Sequence, residues 1–458
     1  MLQCVMQSSN TIVAIATPIG NAGVGIIRLS GPNAMDIVSR CFVAFGNVKD
    51  LTPRLAAFGR VTTPDFSDTV LCIYFPAPNS FTGEDVIEIQ AHGGAFLLQK
   101  IVDHLVSIGA TPAQPGEFSK RAFLNGKMSL DQAESIIETI HAESESHLKA
   151  SSIIYSGKLK EQLSQFETEL VQTIAQIEAT MDYPEHDIEH TTRESIKPQI
   201  KDIVNQIDSL VSTAQHGRII AHGVQIAVLG RPNVGKSSLF NQILGTDRSI
   251  VTTIEGTTTD TVSEAILYKG LRFVFNDTAG IRNAKNEIEK LGIERTNKVI
   301  NDADIVLSIF DISQKPNSDD RNVLELSKDK NSIIILNKSD LVNSPTDWNK
   351  FLGENAKIIR TSALTGKNIN LLKETIHNIA TQKQPKSGDV VITNTRHLAQ
   401  LNIAKDSLTR ALGNIDTLPL DCIANDITQV IDAIGEITGT RASDAIIDEI
   451  FSRFCIGK

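Results

Sequence analysis

The sequence predicts a multidomain chain: an α+β domain at the N-terminus, an all-α helical domain split in two, and an α/β P-loop domain inserted between the helical halves. Three observations predict it. Short β-like runs broken by Gly and Pro fill the first 125 residues or so. Helical periodicity begins near Ser129, stops, and returns from His397. Between those stretches, apolar runs alternate with helical ones, the pattern of a doubly wound, mostly parallel sheet.

Taken in order, the N-terminal runs are Ile12–Ile15, Gly25–Leu29, Val70–Phe75 and Val86–Gln90, with one helix-like stretch from Ala95 to Ile108. This mixture sets the α+β domain at residues 1–125. Ser129 is an N-cap with Gln132 at the capping-box position. Leu163, Phe166, Leu170, Ile174 and Ile177 recur at helical spacing, so 126–215 is the first helical part, with breaks expected at Pro184 and Pro198. Residues 216–382 carry the apolar runs Gln225–Leu229, Leu271–Phe275, Ile305–Phe310, Ser332–Leu336 and Lys357–Ile359. Residues 383–458 are too short to bury much alone and complete the helical bundle, since a compact domain tolerates an insertion where its backbone is exposed.

The totals narrow the function. The net charge is −10, the hydrophobic content 41% and the charged content 21%, which disfavours a strongly basic nucleic-acid binder. Five cysteines at no metal-ligand spacing give neither a disulfide framework nor a zinc site, and fit a reducing, cytoplasmic setting. No secretory leader is visible, and no run approaches the ~18 apolar residues that a membrane span needs.

Gly230-Arg231-Pro232-Asn233-Val234-Gly235-Lys236-Ser237 fits the phosphate-loop pattern, with an apolar strand before it and a helical stretch from Ser238 after it. Backbone N–H groups of such a loop curl around phosphates, Lys236 supplies a cation to the β- and γ-phosphates, and Ser237 ligates Mg²⁺. Asp277-Thr278-Ala279-Gly280 follows a strand, where the Asp holds the Mg²⁺ shell and Gly280 lets a backbone N–H reach the γ-phosphate. Within Gly256-Thr257-Thr258-Thr259-Asp260, Thr258 is the residue that caps Mg²⁺ while the γ-phosphate is present. Asn337-Lys338-Ser339-Asp340 selects the base: Asp340 accepts from guanine N1–H and its exocyclic amine, a donor pair that adenine lacks. Thr361-Ser362-Ala363 fits the loop that contacts the guanine O6. Four motifs in order, each at a strand end, specify GTP.

Hydrolysis needs a positioned water. Ile281 stands where a water-orienting Gln would follow Gly280, which leaves the downstream carboxylates Glu287 and Glu289. Charge stabilisation needs a trans-acting Arg or a monovalent cation near Asn233.

Over nearly its full length the chain resembles the tRNA uridine-modification GTPases called MnmE or TrmE. The likeness includes Thr17-Pro18, Gly23-Val24-Gly25-Ile26-Ile27-Arg28-Leu29-Ser30-Gly31, Ser80-Phe81-Thr82-Gly83-Glu84-Asp85 and Glu88-Ile89-Gln90-Ala91-His92-Gly93-Gly94. It continues through Pro115-Gly116-Glu117-Phe118, Arg121-Ala122-Phe123-Leu124-Asn125-Gly126-Lys127 and the terminal Phe454-Cys455-Ile456-Gly457-Lys458. The resemblance implies a dimerising, folate-binding N-terminal domain, a split helical domain and an inserted G domain. It implies a homodimer that works with an FAD-dependent partner, MnmG or GidA, in a heterotetramer. The target is the wobble uridine (U34) of certain tRNAs, which gains a 5-aminomethyl-type or 5-carboxymethylaminomethyl-type group. A 5,10-methylene- or 5-formyl-tetrahydrofolate carries the one-carbon unit. The resemblance further implies GTP hydrolysis on K⁺-dependent G-domain dimerisation, with K⁺ near Asn233, Thr252, Ile254 and Thr257, and it selects Glu289 as the water-positioning carboxylate. Ser238, Thr253 and Glu255 join the nucleotide contacts, and folate contacts map to Arg28, Glu88, Lys127 and Lys458. Members commonly carry Arg where this chain has Thr259, while Arg282 is as in the family.

Phe451 and Phe454 predict a C-terminus that docks rather than frays. Cys455 reads either as a small buried apolar residue or as a functional thiol near the folate site. A competing reading, an RNA-binding regulatory GTPase of ribosome assembly, would call for a basic appendage. The segment from His397 instead carries Asp421, Asp426, Asp432, Glu436, Asp444, Asp448 and Glu449.

Overall fold

The structure, a computed structural model, describes residues 10–45, 51–182, 189–246, 263–277, 297–328, 330–342, 346–352, 357–382 and 388–458. The chain forms two compact units: Met1–Ile137, Ile154–Lys197 and Arg410–Lys458 make one, and Glu138–Ile153 and Pro198–Thr409 the other.

The first unit holds a seven-stranded sheet made of β1 (Ile12–Ile15), β2 (Ala22–Ser30), β3 (Phe42–Ala44), β4 (Ala56–Thr62), β5 (Ser67–Phe75), β6 (Val86–Gly93) and β7 (Thr111–Pro112). The order is β3-β4-β5-β6-β2-β1-β7, antiparallel except for β1 beside β7. The sequence reading missed β3, β4 and β7. Successive side chains of a strand point to opposite faces. Ile27, Leu29, Ile87 and Ile89 therefore meet Leu98, Ile101 and Leu105 of the helix Ala95–Ser107 in one core. Arg28 and Glu88, paired in register, take the opposite parity from those apolar residues.

Ser129 precedes the helix Leu130–Ile140, and Gln132 Oε1 accepts from the Ser129 N–H at 3.0 Å, as a capping box requires. The Ser129 hydroxyl also donates to that oxygen, at 2.9 Å, where a full box would have it accept from the backbone. In the helix Lys158–Asp182, Leu163, Phe166, Leu170 and Ile177 are buried as predicted, and they share the stripe with Thr173. Pro198 breaks nothing: it lies inside the helix Glu189–Ser212. An interior proline costs ~3 kcal/mol, and here Ile196, Ile200, Ile203 and Ile207, all buried, offset it.

The tail docks as expected. Phe451 and Phe454 are buried, in one apolar cluster with Ala122 and Leu130. Gly457 has φ +95°, and a Cβ there would sit 2.2 Å from the Ile15 carbonyl oxygen, so only glycine fits.

The second unit holds a six-stranded sheet of β8 (Val224–Leu229), β9 (Ser263–Tyr268), β10 (Leu271–Asp277), β11 (Ile305–Asp311), β12 (Ser332–Asn337) and β13 (Ile358–Arg360). The order is β13-β12-β11-β8-β10-β9, and every neighbour pair is parallel except β10 with β9, a strand the sequence reading missed. β11 is buried along its whole length, as a strand covered on both faces should be. Because five of the strands run the same way, their carboxyl ends share one edge. The strand order reverses at β8, which is the crevice where open α/β sheets bind ligands.

Candidate functional site

At that edge β8 delivers the phosphate loop, which enters the helix Lys236–Thr246. The loop needs a tight path: Asn233 has φ +64° and Gly235 φ +93°. A Cβ on Gly235 would lie 2.4 Å from Asn337 Nδ2, so the glycine lets the loop approach the end of β12. Val234 is buried under the loop, while Ser237 and Ser238 stand exposed on the first helical turn. Lys236 Nζ donates to the carbonyls of Gly230 at 3.0 Å and Arg231 at 2.7 Å, which holds the ammonium at the loop.

β12 ends on Asn337, whose side chain splices three loops. Its Nδ2 donates to the Val234 carbonyl at 3.0 Å, and its Oδ1 accepts from Ala363 N at 3.1 Å and Thr361 Oγ1 at 3.3 Å. Ser362 Oγ donates to Asp340 Oδ1 at 2.5 Å, tying that carboxylate to the loop after β13. Lys338 Nζ donates to the Asn233 carbonyl at 2.8 Å. Thus Asn233, Val234, Gly235, Asn337, Lys338, Asp340, Ser362 and Ala363 form one connected site.

Sequence reasoning missed Asp311, the last residue of β11. It is buried, sits in register with Asn337, and binds Lys338 Nζ at 2.6 Å. Burial pushes its carboxyl up, but hydrogen bonds from Lys338 and Ser313 outweigh that and hold it below the usual carboxylate range. The available signal was the one that singled out Asp277, an acid closing an apolar strand. Also missed was the Arg231–Asp320 ion pair, N···O 2.7 Å, which no local spacing announces.

Asp277 closes β10 in register with Val228, two residues before the phosphate loop. Thr252, Thr253, Ile254, Glu255, Gly256, Thr257, Thr258, Thr278, Ala279, Gly280 and Glu289 lie outside the described residues.

The first unit holds a second cluster. Arg28 donates to Glu88 Oε1 through Nε at 3.0 Å and pairs with it through Nη2 at 2.9 Å. Its guanidinium stands over the rings of Phe81 (5.5 Å) and Phe118 (5.8 Å). Phe118 N donates to the carbonyl of Lys458 at 3.2 Å, so the C-terminal residue reaches this cluster through its backbone. The stem of exposed Lys127 passes within 3.5 Å of the position a Gly83 Cβ would take, in the loop that carries Phe81. Beneath, Arg121 binds Glu84 (3.1 Å) and Glu117 (2.7 Å), and Ser30 Oγ donates to Glu84 Oε2 at 2.7 Å. Cys455 is exposed, which removes the reading of it as a buried apolar residue. The terminal turn buries its aromatic rings and leaves the thiol outward.

The comparisons with known proteins cover both units. A family model described as the MnmE helical domain matches residues 130–455, and one described as the GTP-binding protein TrmE N-terminus matches 11–127. The chain is 38% identical over 459 residues to the tRNA modification GTPase MnmE of Acetivibrio thermocellus, covering 99% of this chain and 100% of that one. It is 38% identical to the proteins of the same description from Lactobacillus gasseri (460 residues, 99% of each chain) and Lactobacillus helveticus (454 residues, 98% of each). Among the described residues no helix is long and apolar enough to cross a membrane.

Proposed function

The chain belongs to the MnmE/TrmE family of tRNA modification GTPases, and from that membership we propose that its GTP hydrolysis serves C5 modification of the tRNA wobble uridine (U34). It is a GTP hydrolase of tRNA modification. The finer reading is addition of a carboxymethylaminomethyl or aminomethyl group, with a folate as one-carbon donor and an FAD-dependent MnmG/GidA partner. The protein acts as a homodimer in the cytoplasm. The domains divide at 1–125, 126–215, 216–382 and 383–458. One observation carries this reading: the likeness at 38% identity runs the whole length of relatives described as tRNA modification GTPases, not the G domain alone.

The residues fit the roles. Lys236, held by two loop carbonyls, would meet the β- and γ-phosphates. Ser237 and Thr258 would hold Mg²⁺, which supplies Lewis-acid stabilisation of the phosphates when bound. The exposed Ser237 hydroxyl at the helix start fits that role. Asp340, oriented by Ser362, reads guanine. Asn233, whose carbonyl Lys338 fixes, would join Thr252, Ile254 and Thr257 around K⁺, and Glu289 orients the water. Arg28, Glu88, Lys127 and Lys458 would hold the folate. The half-buried Arg28–Glu88 pair beside two aromatic rings suits a flat, polar heterocycle.

Mass spectrometry of wobble-uridine nucleosides from cells with and without the gene tests the main claim. Loss of the modified nucleoside is expected, and unchanged nucleosides contradict it. Steady-state GTPase assays should run faster in K⁺ than in Na⁺ and collapse in Glu289→Ala. Equal rates in both salts contradict the potassium assignment.

A further inference from the structure

The connection that leaves β11 runs from Asp311 to Asp320 and enters the helix Ser318–Ser327. Its far end carries a buried carboxylate in double use. Asp320 is fully buried, and its Oδ2 accepts from the Asn317 N–H at 3.0 Å while Asn317 Oδ1 accepts from the Asp320 N–H at 3.2 Å. That is a complete capping box, which fixes the side chain. Its other oxygen, Oδ1, accepts from Arg231 Nε at 2.7 Å.

Arg231 is the second residue of the phosphate loop. Its side chain is 14% exposed, and among the described residues its Nη2 is buried with no hydrogen-bond partner and Asp320 is the carboxylate paired with this guanidinium. The backbone of the same residue meets the phosphate-binding cation, because the Arg231 carbonyl accepts from Lys236 Nζ at 2.7 Å. A chain of contacts thus runs from the helix cap through the Arg231 guanidinium to its carbonyl and on to the Lys236 ammonium.

We propose that Asp320 is a positioning residue for the nucleotide site: through Arg231 it fixes the phosphate-loop carbonyl that aims Lys236. It touches no nucleotide itself. Removing its charge leaves a buried cation unpaired two residues before Asn233, and the loop relaxes to solvate it.

A double-mutant cycle on release of a fluorescent GDP analogue from the full-length protein tests this. Asp320→Ala and Arg231→Ala should each speed release about tenfold, the scale of one charge-assisted hydrogen bond. In the Arg231→Ala background, Asp320→Ala should add less than about twofold, because its route is already cut. Tm separates the cap role: Asp320→Ala lowers it in both backgrounds, and Arg231→Ala leaves the cap whole. Should Asp320→Ala not fold, Asp320→Asn, which keeps an acceptor for Asn317 N, takes its place in the cycle. A release rate within about twofold of the parent for either single variant overturns the proposal. So does an Asp320 effect undiminished when Arg231 is absent, since a helix cap alone would behave that way.

Discussion

The two polar clusters are built by different means. In the second unit, loops from the ends of parallel strands converge, and side chains tie them together through backbone groups: the Val234 carbonyl, the Ala363 N–H, the carbonyls of Gly230, Arg231 and Asn233. In the first unit, Arg28 and Glu88 lie side by side on antiparallel strands, and rings and a chain terminus arrive from residues 81, 118 and 458. A backbone-lined site tolerates variation except at glycines and at a few splicing side chains. A side-chain site depends on each member, since removing one partner strands another. The difference sets what each mutation should do.

The largest effect belongs to Lys236→Ala. It removes the cation proposed to meet the phosphates, and kcat for GTP should fall on the order of 10²-fold or more. The Arg28–Glu88 cluster should be untouched, which a folate titration of that variant checks. Next is Asp340→Asn. The carboxylate proposed to accept from guanine becomes an amide, so GDP affinity should drop about 10- to 100-fold, and xanthosine diphosphate should regain part of it. Calorimetry with both nucleotides reads this out.

Gly457→Ala breaks the first unit instead. The new Cβ meets the Ile15 carbonyl at a positive φ, a cost of ~1–3 kcal/mol. The tail should lift, and Tm should fall by roughly 2–6 °C while GDP binding stays as in the parent. A GDP affinity that fell with it would erase the distinction between the clusters.

The smallest effect is set by pH. Burial, and then nearby His222, lower the pKa of His147, and burial lowers that of His216; both residues belong to the second unit. The unfolded chain therefore binds their protons more readily than the folded one. Their contribution is fully present above the ordinary histidine value of about 6.5 and is lost as pH falls below it. Thermal melts from pH 7.5 to 5.5 should show Tm falling over that window, and His147→Leu should flatten the slope.

The contrast also explains what the sequence made legible. Loops at strand ends are contiguous, so the phosphate loop, Asn337–Asp340 and Thr361–Ala363 were readable from spacing, and the five apolar runs of the parallel sheet fall within strands to within a residue. Asp311 carried the same strand-end signal as Asp277, but no spacing links it to its partner Lys338, and Asp320 escaped because a helix cap and an ion pair share one carboxylate. The Arg28 cluster has no local signature, since its members are distant in sequence, and only family likeness pointed to Arg28, Glu88, Lys127 and Lys458. β3 spans only three residues and the apolar run of β4 is interrupted by Gly59 and Arg60, so neither announces itself as a sustained strand pattern. Pro198 misled because buried isoleucines on both sides of it, Ile196 before and Ile200, Ile203 and Ile207 after, outweigh one absent hydrogen bond.

Crossed calorimetric titration tests the central claim, that one chain carries a guanine-nucleotide site and a separate folate site. GDP and 5-formyl-tetrahydrofolate would each be titrated into the parent, Lys236→Ala and Arg28→Ala proteins. The account predicts that Lys236→Ala loses GDP alone and Arg28→Ala loses the folate alone. A parent that binds no folate, or an Arg28→Ala protein that binds it undiminished, would contradict it.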